Sequence, residues 1–549
     1  MNKWFKSGTP WIWMTAGAVS LSLIAVVGLL LLIGARGLVY FWPHTVYQFG
    51  VISEQGIERV IGEIHGREMV PRERLIANGV NLDNFPDADV PRYLVKTGNR
   101  EFVNLDFRTI LESEIKSRTV PEGVLVLERA KNGNFYGFLQ GMTENSQPLE
   151  TADLKGEMQR RLARVLELNA QIDRLQKVDI GAINHGLERL RMRERALQLQ
   201  GNLTEQDEAQ FAAERAGFDR QYSALEQQLM SLREQTGRDA LLVKDMRGEV
   251  VTIPMSNVMD AYYPNDMHGV QKVGHWFHQV WKFLTEDPRE ANTEGGVFPA
   301  IFGTVFMVLL MSVLVTPLGV VAAIYLHEYA GKNAITKVIR IAVINLAGVP
   351  SIVYGVFGLG FFVYMLGGSI DKLFYPEALP TPTFGTPGVM WAAITLAILT
   401  LPVVIVSTEE GLSRIPSAVR QGSLALGATK AETLWRIVIP MASPAIMTGL
   451  ILAVARAAGE TAPLMLVGVV KLAPTLPVDL NFPYVHLDRK FMHLGFHIYD
   501  VGFQSPNVEA ARPLVFATSF LLVTVIVGLN LTAIGIRNHL REKYRSMDI

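Results

Sequence analysis

Five stretches of this chain, each longer than twenty residues, carry no charged side chain, and a sixth carries only two. The five are Ser7–Ala35, Gly295–Leu326, Ile341–Ile370, Ala378–Thr408 and Pro513–Ile536; the sixth, Ile437–Val470, holds Arg456 and Glu460. A hydrocarbon core about 30 Å thick takes roughly 20 apolar helical residues to cross, so the windows predict six membrane spans. The 49% share of hydrophobic residues agrees. Lys3 and Lys6 precede the first window, as they would precede a cleaved signal peptide. Its apolar core, Trp11–Ile33, exceeds the roughly 7–15 residues of such a signal, so it reads as a retained span.

The short loops set an expected orientation. His327–Arg340 holds Lys332, Lys337 and Arg340; Glu409–Arg436 holds Arg414, Arg420, Lys430 and Arg436; the tail holds Arg537, Arg541, Lys543 and Arg545. Alternating spans put all three and the N-terminus on one side, the cytoplasm by the positive-inside rule. The expected order is a cytoplasmic N-terminus at 1–10, a first span at 11–35 and a periplasmic insert at 36–293. Spans two to six follow within 294–541, with a cytoplasmic loop at 409–440 and a tail at 542–549. A net charge of −1 supplies no basic face for nucleic acid. The absence of cysteine excludes disulfides and cysteine-held metals.

The insert is too long for a loop and must fold on its own. TVYQFGV at 45–51, RYLVKT at 92–97, GVLVLERA at 123–130, FYGFLQG at 135–141 and two segments within 239–254 read as strands. Lys131–Asn134 reads as a hairpin turn. Between the last two strand groups, about 153–236, two apolar stripes have helical spacing: Met158, Leu162, Val165, Leu168, Ile172 and Leu175, then Phe211, Phe218, Tyr222, Leu225, Leu229 and Leu232. Gly201–Asn202 breaks the helix, and Thr204 with Asp207 reads as a capping box. The stripes fit a coiled-coil hairpin, or alternatively the core of a helical domain. The expected fold class is mostly α: a six-helix membrane bundle carrying an α+β insert.

The loop Arg414–Pro440 reads as helix, glycine stop, helix. Pro416 can open the first helix, Gly427 suits a left-handed stop, and Thr429 with Glu432 makes a second capping box. Such a knob can be gripped by a partner, or it can be an ordinary amphipathic connector. Within it Gln421–Gly422–Ser423, then Gly427, then Ile437-Val438-Ile439-Pro440 resemble the "EAA" loop of ABC-importer permeases, with E-A-A replaced by Q-G-S. NLAGVPSIVYGVFGLG at 345–360 and RAAGETAPL at 456–464 are similar to the phosphate-specific permeases of the PstA type. The resemblance covers the spans and leaves out most of 36–292.

The resemblance implies a type I ABC-importer permease for inorganic phosphate. It implies a second homologous permease, a dimer of a separate cytoplasmic ATPase, and a periplasmic phosphate-binding protein as partners, with no cofactor. The coupling loop would then be Gln421, Gly422, Ser423, Leu424, Ala425, Leu426 and Gly427. The chain has no Gly-x-x-x-x-Gly-Lys-[Ser/Thr] motif, so it has no nucleotide cradle of that kind and is not expected to be an enzyme.

Arg456 is the residue that hydropathy leaves unexplained. A charge near the bilayer midplane costs at least about 2.5–3.5 kcal/mol, so it should face protein or water. With the fifth span starting near Ile446, Arg456 is expected about 15 Å in, paired at i,i+4 with Glu460. Gly449, Ala453, Arg456 and Glu460 would share one helical face. A guanidinium fork matches phosphate oxygens, the glutamate can orient it, and Thr461 adds a hydroxyl. The other reading is a structural ion pair that fixes helix register. The resemblance implies that Arg456 and Glu460 act in anion passage. A signalling subunit built around the insert, or a permease for molybdate or sulfate, remains open at this point. His486, His493 and His497 with Asp488 and Asp500 read as a solvated segment rather than a metal site.

Overall fold

The computed structural model describes residues 7–53, 56–79, 82, 88–103, 106–331, 333–505 and 508–545. Lys3, Lys6 and Lys332 of the charge pattern lie outside them. The chain forms two compact units, Met1–Tyr40 with Val297–Ile549, and Phe41–Gly296.

The first unit is a helical bundle. Among the described residues, six of its helices are long and apolar enough to cross a membrane: Trp11–Val39, Phe298–Tyr329, Ser351–Phe374, Val389–Ser413, Lys430–Gly459 and Ala511–His539. The fourth span is its centre, and Ala392, Ala393, Leu396 and Val404 along it are buried. Glycines and alanines let its neighbours approach. A Cβ added at Gly319 of the second span would lie 2.6 Å from Val404, and one at Gly449 of the fifth would lie 2.8 Å from Ser407 Cβ. Small residues do the same work in membranes generally, where apolar side chains gain nothing by leaving lipid. Three buried hydroxyls of the fourth span are satisfied within it: Thr395, Thr400 and Thr408 donate to the carbonyls of Trp391, Leu396 and Val404 at 2.7–2.8 Å.

Two spans are discontinuous. Before the third, a helix Ala334–Leu346 ends, and the chain restarts helical at Ser351 after Pro350. The Tyr354 hydroxyl reaches back across that gap to the Leu346 carbonyl at 2.5 Å, satisfying one of the acceptors a helix end leaves open. The fifth span ends at Gly459, and a short helix, Ala462–Val467, follows.

The second unit is built on two antiparallel sheets. Strands β1 (Val46–Ser53), β2 (Gly56–Pro71), β3 (Asp89–Lys96), β4 (Phe107–Leu111) and β5 (Ile115–Thr119) are ordered β4-β3-β2-β1-β5. The second sheet holds β6 (Val124–Arg129), β7 (Phe135–Glu144), β8 (Gln147–Pro148), β9 (Asp239–Lys244), β10 (Val250–Pro254) and β11 (Val258–Tyr262), along the path β10-β9-β7-β6-β11. The β6–β7 turn has Asn132 and Gly133 at φ +70° and +67°, the left-handed pair such a turn requires.

Between β8 and β9 the chain leaves the sheet as an antiparallel helical hairpin. A continuous helical run, Leu154–Arg174, Leu175–Ile180 and Gly181–Gln200, is answered by Glu205–Gly237. Gly201 stops the first arm at φ +69°, and Thr204 with Asp207 caps the second. Met158, Leu162 and Val165 anchor its base on Leu125, Leu127 and Leu241 of the sheet. Further out, Arg193–Glu214 at 2.7 Å and Arg215–Glu194 at 3.1 Å link the arms.

Candidate functional site

Arg456 and Glu460 sit where the fifth span breaks. Arg456 belongs to the last turn of the helix ending at Gly459; Glu460, at φ −83° and ψ 119°, has already left it. Their side chains still meet, with Arg456 Nε 3.5 Å from Glu460 Oε1, and each is only partly exposed. The expectation of one unbroken helical face through Glu460 is therefore corrected. The helix also starts earlier than Ile446, at Lys430, and runs through Pro444, so Arg456 stands in its last turn and not about 15 Å from its start. Gly459 and Pro463 explain the break: glycine ends helices cheaply, and a proline early in the next helix has no amide to lose.

The Gly388 amide, at the start of the fourth span, donates to the Val467 carbonyl at 2.9 Å. Val467 closes the short helix Ala462–Val467, seven positions beyond Glu460. Unwound backbone inside a membrane is tolerated only where it faces protein or a wet cavity.

The two quoted sequence motifs meet here. The helical segment Ser351–Phe357 of the third span crosses Ala462–Val467 so closely that a Cβ at Gly355 would lie 2.7 Å from Pro463 Cα. One turn on, a Cβ at Gly358 would lie 2.9 Å from Val467 and 2.5 Å from the Thr395 hydroxyl. Tyr354 is within electrostatic reach of Arg456. Thr461 stands against Gly495 of the segment before the sixth span, where an added Cβ would lie 2.2 Å from its Oγ1.

That segment differs from its sequence reading as a solvated stretch. His486, His493, His497 and Asp500 are all buried. Burial alone pushes His493 down to about 4; it does the same for His497, with Asp500 opposing and Lys471 assisting. His493 Nδ1 accepts the Gly495 N–H at 3.1 Å, so the neutral ring carries its proton on Nε2, which has no hydrogen-bond partner among the described residues. No group of three or more His, Asp or Glu side chains among the described residues is arranged to hold a metal. Spacing revealed the histidines but not their burial, because nothing in the local sequence marks that segment as covered.

The loop carrying the second candidate site folds as helix, stop, helix. Ser417–Ala425 is helical, Gly427 adopts φ +88°, and Thr429 and Glu432 exchange hydrogen bonds at 2.9 and 3.2 Å. Gln421, Gly422, Leu424, Ala425, Leu426 and Gly427 are exposed, Leu426 at 91%. Ser423 is the exception, buried with its hydroxyl 2.8 Å from that of Thr433. The sequence reading missed Glu328, at the end of the second span. Its carboxylate receives Arg420, and its carbonyl receives Lys430.

A family model described as "Binding-protein-dependent transport system inner membrane component" matches residues 315–545. The chain is 33% identical over 290 residues to "Phosphate transport system permease protein PstA 1" of Mycobacterium tuberculosis, covering 52% of this chain and 84% of that protein. It is 30% identical to "Phosphate transport system permease protein PstA" of Mycobacterium leprae, with the same two coverages. It is 32% identical over 225 residues to "Probable phosphate transport system permease protein PstC" of Methanocaldococcus jannaschii, covering 40% of this chain and 70% of that protein.

Proposed function

This chain belongs to the PstA-type permeases, binding-protein-dependent inner-membrane transport components, and on that premise we propose that it passes inorganic phosphate through the membrane beside Arg456. It is a multi-pass transport permease and not an enzyme; ATP hydrolysis falls to a partner.

The observation that carries the phosphate reading is the Arg456–Glu460 pair at the break of the fifth span, crossed there by the third. A permanently charged guanidinium in a half-buried place offers an anion a substitute for its hydration shell. The neighbouring carboxylate balances the charge when no anion is present and keeps the bound state weak enough to release. Thr461 lies at the same break and adds a hydroxyl donor. A pair that only fixed register would not need an interrupted helix beside it.

Gln421–Gly427 is the surface for the ATPase. Leu426 supplies an apolar contact, and closure of an ATPase dimer is transmitted through Arg420 and Glu328 to the second span. The complex comprises this chain, a second homologous permease, two ATPase copies and a soluble phosphate-binding protein. The basic loops put both termini and this surface in the cytoplasm and residues 36–293 in the periplasm.

The test is transport by the complete complex in proteoliposomes. ATP-dependent uptake of radiolabelled phosphate, undiminished by excess sulfate or molybdate, is the expected result. Uptake of either competitor in place of phosphate overturns the substrate assignment.

A further inference from the structure

The insert contains a helix built the wrong way round for a soluble domain. Gly269–Thr285 points its polar side chains at the protein. Lys282 Nζ lies 2.6 Å from Glu128 and 3.2 Å from Asp260, Gln279 donates to Glu128 at 2.7 Å, and the His275 ring packs on Tyr262 with centroids 4.2 Å apart. The opposite arc is apolar and uncovered. Val270, Val273, Phe277 and Trp281 recur at steps of three and four, and their exposures are 87%, 44%, 63% and 66%. A surface helix normally does the reverse, with its apolar stripe on the core and its charges in water. Four exposed side chains of this size in one stripe mark something that is covered in use.

Chain continuity indicates what covers it. Phe283, buried near the helix end, packs on Phe41 with ring centroids 5.0 Å apart. Phe41 follows by two positions on Val39, the last residue of the first span, a reach of roughly 7 Å. The helix also ends at Thr285, and the second span begins at Phe298. Along the chain, its C-terminal turn thus contacts a residue two positions past one span and precedes the next span by 13 positions. A tryptophan and a phenylalanine on one arc, with His278 flanking, is the composition of a helix lying in the headgroup region.

We propose that Gly269–Thr285 is an interfacial helix whose Val270, Val273, Phe277 and Trp281 arc rests on the lipid surface and fixes the insert against the bilayer. The helix lies outside residues 315–545, which the family model matches.

The chain has no cysteine, so single substitutions report without background. Val270→Cys, Phe277→Cys and Trp281→Cys, with Gln271→Cys and His278→Cys from the polar side, are labelled with an environment-sensitive fluorophore. The full-length protein is then placed in phosphatidylethanolamine–phosphatidylglycerol vesicles, with or without chain-brominated lipid. Labels at 270, 277 and 281 are expected to lose most of their emission to brominated lipid and to resist aqueous iodide, while 271 and 278 do the opposite. Equal behaviour of the two arcs overturns the proposal. So does shielding of position 277 that arises only when the second permease or a soluble binding protein is added, because the surface then belongs to a protein partner.

Discussion

Arg420 donates from Nε to Glu328 Oε1 at 3.1 Å and spends its other N–H groups on the Ile415 and Leu412 carbonyls at 2.8 and 2.7 Å. One side chain thus joins the exposed Ser417–Ala425 helix to the end of the second span and to the last turn of the fourth. Only a planar fork can serve all three acceptors, so Arg420→Lys is expected to uncouple ATP hydrolysis from uptake while the subunits still assemble. Glu328→Gln leaves a largely buried guanidinium without its charge partner and should cost roughly 2–3 kcal/mol of stability. Thermal melting in detergent and uptake per ATP hydrolysed check the two effects.

Leu426 stands almost wholly in water, so removing it cannot damage the permease core. Leu426→Ala should leave the melting temperature unchanged. Burying a leucine against a partner is worth roughly 1.5–3 kcal/mol, so the variant should retain the ATPase at least about tenfold less tightly. Co-purification of the ATPase subunit measures this.

The crossing of the third and fifth spans rests on a missing side chain. Gly355→Ala drives a methyl to 2.7 Å from Pro463 Cα, against backbone that cannot swing aside. Overpacking of this kind costs roughly 1–3 kcal/mol, and uptake should fall with it. Gly360→Ala, five residues along the same span, meets nothing within 4 Å and should be neutral in both assays.

Acid should loosen the segment before the sixth span. His493 and His497 have folded-state values of about 4, below the ordinary value near 6.5. Their contribution to stability is complete above pH 6.5 and is lost as pH falls toward 4, because only the unfolded chain takes up protons in that window. The loss approaches about 3 kcal/mol per histidine. Melting curves at pH 7 and pH 4.5 should differ accordingly, and His493→Gln should shrink the difference.

The membrane helices were readable because hydrocarbon forbids charge over a fixed length, a demand any sequence must display. The helical hairpin was readable for a similar reason: Gly201, Thr204 and Asp207 punctuate two long periodic stripes, and the structure uses each of them in that role. Strand β2 was missed because Glu58, Arg59, Glu63, Arg67 and Glu68 interrupt its apolar pattern. The break at Glu460 was missed because hydropathy counts side chains and is blind to backbone direction, although Gly459 and Pro463 flanked it in plain view. Glu328 was missed because its partner Arg420 lies 92 residues away, and no local pattern carries that pairing.

The central claim is that Arg456 receives the anion. ATP-driven uptake of radiolabelled phosphate by the reconstituted complex, with Arg456→Gln inserted at verified wild-type levels, tests it most directly. Loss of nearly all uptake with assembly and thermal melting preserved is the predicted result, and Arg456→Lys should restore part of it. Uptake by Arg456→Gln at the wild-type rate would contradict the claim and reduce the pair to a tie between two pieces of a broken helix.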